Sequence, residues 1–219
     1  MFDEKEIKVA EGQSKRMCDK NKEFWETNHK TNNRYWLTDS EPDYVYKLHD
    51  LNTMLMILTQ NILEVGVGTG RSIIRLAEIG HQVYAVDISD SALEKIKCFA
   101  TVIQIHEGHV WPKNKIDIAL CHLVFQHCDD NDFRYIIRKV LESLAPDGFF
   151  SFQSADAEEH KLGESCRQFM AEGHIFFRSK DTVIKVVEEA CGKIVSISED
   201  IVHPNEWDIV WNIFRVRRA

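Results

Sequence analysis

The 219 residues carry 27 Lys and Arg against 35 Asp and Glu, a formal net charge of -8, with 44% hydrophobic residues. That balance lacks the basic footprint a nucleic-acid binder shows, so nucleic acid is not expected as a partner. No apolar run approaches the ~20 residues of a membrane span, and the opening MFDEKEIKVAEGQSKR is too charged for a secretory segment.

The length suits one domain, and no repeat, linker or low-complexity stretch divides it, so a single domain over 1–219 is expected. The six cysteines (Cys18, Cys98, Cys121, Cys128, Cys166 and Cys191) form no Cys-x-x-Cys pair, and several lie in apolar stretches. Reduced thiols without a leader predict a cytoplasmic protein. Residues 1–51 read as a polar helical arm with aromatic punctuation and no strand. Helices are expected near Glu11–Trp25 and from Pro42 to about Leu58, where Pro42 suits a first turn.

From Ile62 the pattern changes. ILEVGVGTGRSIIRLAEIGHQVYAVDIS, Ile62–Ser89, reads as strand, glycine turn, helix and strand. Ile62–Val65 is short and apolar, as a strand buried on both faces should be. Gly66, Gly68 and Gly70 permit positive φ and a close backbone approach to a ligand. Ile73, Ile74, Leu76, Ala77 and Ile79 recur at helical spacing, and Gln82–Val86 is extended and apolar, ending on Asp87. This is half of a doubly wound nucleotide site, with a ribose-binding carboxylate at the second strand's tip.

Ser89 then reads as an N-cap, with Ala92, Leu93, Ile96 and Phe99 on one helical face. Thr101–Ile105 is a third strand and Ile116–Cys121 a fourth, where Asp117 is expected to start the strand at the surface. Cys121, His122, His127 and Cys128 cluster in sequence, but their spacing fits no tetrahedral zinc module, so no metal is expected. Asp129 to about Leu144 is a helix buried through Phe133, Ile136, Ile137, Val140, Leu141 and Leu144. Ala145–Gly148 is a turn, Phe149–Gln153 a fifth strand, and 155–175 a polar insertion. A helix over Thr182–Ala190, capped by Ser179 or Asp181 and ended by Gly192, precedes a hairpin of Ile194–Val202 and Asp208–Val216. Arg215, Arg217 and Arg218 read as a solvated end to that hairpin.

The run Glu64-Val65-Gly66-Val67-Gly68-Thr69-Gly70, followed by Asp87, resembles the class I S-adenosylmethionine-dependent methyltransferases, over roughly Asn61 to Arg217. Arg71 stands where a dinucleotide fingerprint would place its third glycine. The resemblance implies an α/β, Rossmann-like fold: a seven-stranded, mostly parallel, doubly wound sheet with an antiparallel last strand. The arm 1–51 would fold over a core at 52–219, and the insertion would supply much of the acceptor pocket. It further implies S-adenosylmethionine as methyl donor, with S-adenosylhomocysteine as product.

By the same resemblance, Glu64 and the turn Gly66, Gly68 and Gly70 would hold the methionine end and Asp87 the ribose. Ile88, Val110 and Cys121 would line the donor, and Tyr35 and Trp36 are the arm's lid candidates, or else pack it onto the core. The pair Gly108-His109 falls where the family carries an acid facing the adenine; His109 could accept that hydrogen bond as neutral imidazole, or Glu107 could substitute. The indole of Trp111 is a candidate flank for the adenine.

His127 ends the segment after strand four and is the candidate general base, or else a helix-entry residue. His122, Gln153, His160, Arg167 and His174 are candidate acceptor-binding residues. The expected function is methyl transfer to a polar small molecule, with oxygen favoured and sugar-like, phosphate or carboxylate acceptors open. The alternatives are N-methylation and a non-catalytic donor-binding partner subunit. A nicotinamide oxidoreductase would want a glycine at position 71 and a Tyr/Lys pair downstream. Nothing in the sequence fixes an oligomeric state.

Overall fold

The computed structural model describes residues 22–31, 59–105, 110–156, 175–200 and 210–219. The first described element is a helix, α1, over 22–31. A strand β1 (Asn61–Val65) leads through the glycine turn to α2 (Arg71–Glu78), β2 (Gln82–Asp87), α3 (Asp90–Ile96) and β3 (Thr101–Gln104). Strand β4 (Ile116–Cys121), a 3-10 turn (Phe125–His127), α4 (Asp130–Ser143) and β5 (Leu144–Asp156) follow. Helix α5 (Lys180–Glu189), β6 (Gly192–Asp200) and β7 (Val210–Arg218) complete the described chain.

The seven strands form one sheet in the order β3-β2-β1-β4-β5-β7-β6. Strands β1 to β5 pair in parallel, and β7 runs antiparallel to both of its neighbours. The expected doubly wound sheet with an antiparallel last strand is therefore the observed one. Alternate residues feed two cores. Leu63, Val65, Tyr84 and Val86 join Phe125, Phe133, Phe150 and Phe214 on one face. Ile62, Val83 and Ala85 meet Ile73, Leu76, Leu93 and Ile96 on the other. Because Glu64 alternates with Leu63 and Val65, its carboxyl is delivered to the α2 face. The strand order reverses between β1 and β4, and ligands of such sheets bind at that switch point, outside the carboxyl ends of the strands.

Most element boundaries match the sequence reading, and the departures have local causes. Helix α1 continues past Trp25 to residue 31. Asn28 Nδ2 donates to the Phe24 carbonyl at 2.8 Å, Thr31 Oγ1 to that of Thr27 at 2.9 Å, and Lys30 lies 3.2 Å from Glu26. Ile79 is 47% exposed and Phe99 43%, against the burial expected from periodicity. Each falls just beyond its helix: Ile79 is the C-cap of α2, and the Phe99 N–H turns back to the Ile96 carbonyl at 2.9 Å.

The Ala145–Gly148 turn is absorbed into β5, whose pairing jumps from Ile116↔Leu144 to Ile118↔Phe149. Ser179, not Asp181, caps α5, accepting from Thr182 N–H. Gly192 already belongs to β6, because Cys191, at φ 59°, makes the left-handed turn before it. Arg215 is half-buried, its guanidinium 5.2 Å from the centre of the Phe149 ring, while Arg217 and Arg218 are exposed. Asp117 is half-buried and does structural work, accepting from Asn61 N–H at 2.8 Å and Asn61 Nδ2 at 3.2 Å. Among the described residues no helix is long and apolar enough to cross a membrane.

Candidate active site

The site forms where β1 and β2 end beside the switch point. Gly66 turns at φ 75°, its N–H donating to the Val86 carbonyl at 2.7 Å. A Cβ there would lie 2.1 Å from Val124 Cγ2, so the turn and the segment after β4 are in contact only because this residue has no side chain. The Gly70 N–H closes the loop onto the Val67 carbonyl at 2.8 Å, and Gly70 enters α2 at φ 79°.

Two buried carboxyls flank this loop. Asp87, 5% exposed, accepts from Gly68 N–H through Oδ2 at 3.1 Å and from Ser89 N–H through Oδ1 at 2.9 Å. Burial pushes its carboxyl above the ordinary range, against those N–H donors and the nearby His29, which favour the charged form. Glu64, 7% exposed, is pushed up to about 8 by burial, and the Asp87 carboxyl acts in the same direction while a hydrogen bond with Ser72 opposes it. Its Oε2 is buried and has no protein partner. A buried, acceptor-bearing atom left this way is costly unless a ligand donor meets it.

The segment after β4 supplies the other wall. Leu123, at φ 56°, bends the chain, and the 3-10 turn closes with the His127 N–H on the Val124 carbonyl at 2.8 Å. Arg178, 5% exposed, fixes this turn from beneath. Its Nη1 donates to the Phe125 carbonyl at 3.0 Å, its Nη2 to the Cys128 carbonyl at 2.7 Å, and its Nε to Asp130 at 3.0 Å. Its guanidinium also lies 4.5 Å from the Phe133 ring centre. His122 is held near a pKa of about 4 by burial, so its imidazole is neutral at pH 7. Gln153 is buried within β5, one residue past the Cys121↔Phe152 pair, and its Oε1 has no protein partner.

Helix α1 covers these tips. The Trp25 ring meets His127 edge-on at 5.0 Å and stacks on His29 at 6.0 Å. Glu26 accepts from Ser89 Oγ at 2.7 Å, Ser91 N–H at 3.1 Å and Ser91 Oγ at 2.6 Å. Burial would raise the Glu26 carboxyl, but the Ser91 and Ser89 donors outweigh it and hold the group down at about 2.

The structure thus brings together Glu64, Gly66, Gly68, Gly70 and Asp87, while His127 meets Trp25 of α1. Ile88 packs partly against the core, and its carbonyl accepts from Gln104 Nε2 at 2.9 Å. The Cys121 side chain is wholly buried in that core, and Val110 is 90% exposed. Trp111, the suggested adenine flank, packs inside the core edge-on to Tyr135 at 6.4 Å. Glu107, His109, Tyr35, Trp36, His160, Arg167 and His174 lie outside the described residues. Among those described, no group of three or more His, Cys, Asp and Glu could hold a metal ion.

Sequence reasoning passed over Glu26, His29 and Arg178. The first two share a helical face at a spacing of three with Trp25 beside them, a signal visible only once 22–31 is known to be one helix. Arg178 gives no local signal, because its partners are carbonyls ~50 residues away in sequence.

Comparison with known proteins agrees with this geometry. Residues 62–148 match a family described as a methyltransferase domain. No curated protein matches the chain significantly. The Burkholderia thailandensis 1,6-didemethyltoxoflavin-N1-methyltransferase, solved with 1,6-didemethyltoxoflavin and S-adenosylhomocysteine, superposes with a TM-score of 0.65 at 14% identity, covering 90% of this chain and 87% of that one. A Mesorhizobium loti S-adenosylmethionine-dependent methyltransferase gives 0.63 at 17%, covering 82% and 99%. The Synechocystis magnesium protoporphyrin IX methyltransferase with bound S-adenosylhomocysteine gives 0.62 at 16%, covering 81% and 83%. The fold is the Rossmann-like methyltransferase fold. Over residues 62–148 the chain is similar to a methyltransferase domain, and it shares the fold of solved methyltransferases.

Proposed function

We propose that this protein transfers the methyl group of S-adenosylmethionine to a polar small molecule, with oxygen as the favoured acceptor atom. The observation that carries the reading is the pair of buried carboxyls on either side of the Gly66–Gly70 loop. Glu64 Oε2, buried without a protein partner, suits the ammonium of a methionine moiety, which would also favour its charged form. Asp87, at the tip of β2 beside the loop, is the acceptor a ribose diol requires.

Bound there, S-adenosylmethionine supplies an electrophilic methyl group, so the protein's task is mainly to position and desolvate the acceptor. Helix α1 and the turn after β4 would exclude water, and Gln153 Oε1 and the neutral His122 would take the acceptor's hydroxyls. His127, on a turn held rigid by Arg178, would receive the proton an alcohol or phenol gives up. A carboxylate or phosphate acceptor would leave it idle. His160, Arg167 and His174 remain candidates for the acceptor side. Nitrogen is the second acceptor reading, favoured by the Burkholderia neighbour, an N1-methyltransferase by name.

The test begins with calorimetry and thermal shift. S-adenosylhomocysteine should bind and raise Tm, and NADH should do neither; the reverse pattern overturns the class of ligand. A screen of polar hydroxy, carboxy, phospho and amino compounds with S-adenosylmethionine, read by S-adenosylhomocysteine release, then separates oxygen from nitrogen. With an alcohol acceptor, His127→Ala should lower kcat by about 100-fold or more while S-adenosylhomocysteine affinity holds within about twofold. Unchanged kcat removes His127 as base.

A further inference from the structure

Helix α1 is fastened to the element that begins just beyond Asp87. Three donors of Ser89 and Ser91 converge on the Glu26 carboxylate at the start of α3, and Lys22 lies 3.3 Å from Asp90. At the other end, Lys95 Nζ donates to the His29 carbonyl at 2.7 Å. Glu26 and His29 are three apart, on one helical face, so fastening Glu26 delivers the His29 ring to the loop. There His29 Cε1 lies 3.7 Å from where a Cβ on Gly68 would stand, and the ring faces Asp87 closely enough that each shifts the other's protonation. Stacking on Trp25, with ring planes 29° apart, sets the imidazole plane.

The chemistry at Asp87 is incomplete for a vicinal diol. Two hydroxyls present two O–H donors and lone pairs that want donors in return, and a carboxylate can only accept. The N–H groups of Gly68 and Ser89 are already spent on Asp87 itself. Burial holds His29 below the ordinary histidine range, with Asp87 and Glu26 acting upward and Lys95 downward, so near pH 7 it is a neutral imidazole carrying one N–H donor. Resting on the donor-site reading above, we propose that His29 is a binding residue for the methyl donor, its ring N–H donating to a ribose hydroxyl that in turn donates to Asp87. The ribose is then read from both sides, by a strand-tip carboxylate and by a helix that must be docked to supply its half.

Calorimetry on the full chain tests this with S-adenosylhomocysteine and its 2′,3′-dideoxyribose analogue. His29→Leu, which keeps an apolar partner for Trp25, should weaken S-adenosylhomocysteine about tenfold. His29→Gln, which restores an N–H, should recover to within about threefold of wild type. Against the dideoxy analogue, wild type and His29→Leu should differ by less than about twofold. The proposal is overturned if His29→Leu binds S-adenosylhomocysteine like wild type, or if its loss is the same for both ligands, since packing would then explain it. Failure of wild type to bind S-adenosylhomocysteine at all would instead refute the donor-site reading, and this inference with it.

Discussion

Glu64→Gln should make the ligand-free protein more stable and the donor complex weaker. Glu64 sits 7% exposed with its carboxyl pushed from 4.5 up to about 8. Between those values the native state keeps a proton that the unfolded chain releases, so this group's contribution falls as pH rises from 4.5 toward 8. From 4.5 to pH 7 is ~2.5 pH units at ~1.4 kcal/mol each, an upper bound of ~3.5 kcal/mol, and water entry on relaxation brings a realistic gain to ~1–2 kcal/mol. Glutamine is near-isosteric, neutral at all pH, and keeps an oxygen for Ser72. Urea denaturation at pH 5, 6, 7 and 8 reads the difference: the two proteins should nearly coincide at pH 5 and separate steadily, the variant the more stable. Parallel pH profiles, or a less stable variant at pH 8, would refute a buried, largely protonated Glu64. In the same samples, S-adenosylhomocysteine should bind the variant about tenfold more weakly, because the uncharged amide loses its ion pair with the methionine ammonium.

Asp87→Ala should weaken S-adenosylhomocysteine tenfold or more, about 1.4 kcal/mol or above, by calorimetry; equal affinity would place the ribose elsewhere. Gly66→Ala should cost ~2–4 kcal/mol, since it adds a left-handed penalty at φ 75° to a 2.1 Å collision with Val124 Cγ2. Adding Val124→Ala should recover part of that loss in urea, and strictly additive costs would mean the two do not meet. Arg178→Met should cost ~2–4 kcal/mol, mostly from leaving the Phe125 and Cys128 carbonyls without their donor, because the Asp130 carboxylate that completes the set is 76% exposed and contributes little. Its kcat should fall more than its S-adenosylhomocysteine affinity, because the turn it supports carries His127; a loss confined to affinity would contradict that placement.

The elements that periodicity located are those whose burial is settled within a few residues. Ile62–Val65 is a short apolar run buried throughout, and the 14-residue α4 repeats at helical spacing, so their burial is written locally. Ile79 and Phe99 continue the same periods and are nevertheless exposed, because the helices end one residue and three residues before them and a period carries no terminus. Trp111 shows the opposite failure. An indole beside a loop reads as a ligand wall, and only the packing of Tyr135 against it makes it core.

The glycine loop and its flanking carboxyls were legible in the sequence, since Glu64, the three glycines and Asp87 are positioned by one strand–turn–helix–strand unit whose geometry is local. What surrounds that half was decided by tertiary structure alone. His29 reaches Gly68 and Asp87 only because Glu26 finds Ser89 and Ser91 some 60 residues away, and His127 is held in place by an arginine ~50 residues downstream. Such partners leave no mark on spacing or composition. They are buried hydrogen-bonding groups satisfied across the fold, and a chain reveals them only when it has closed.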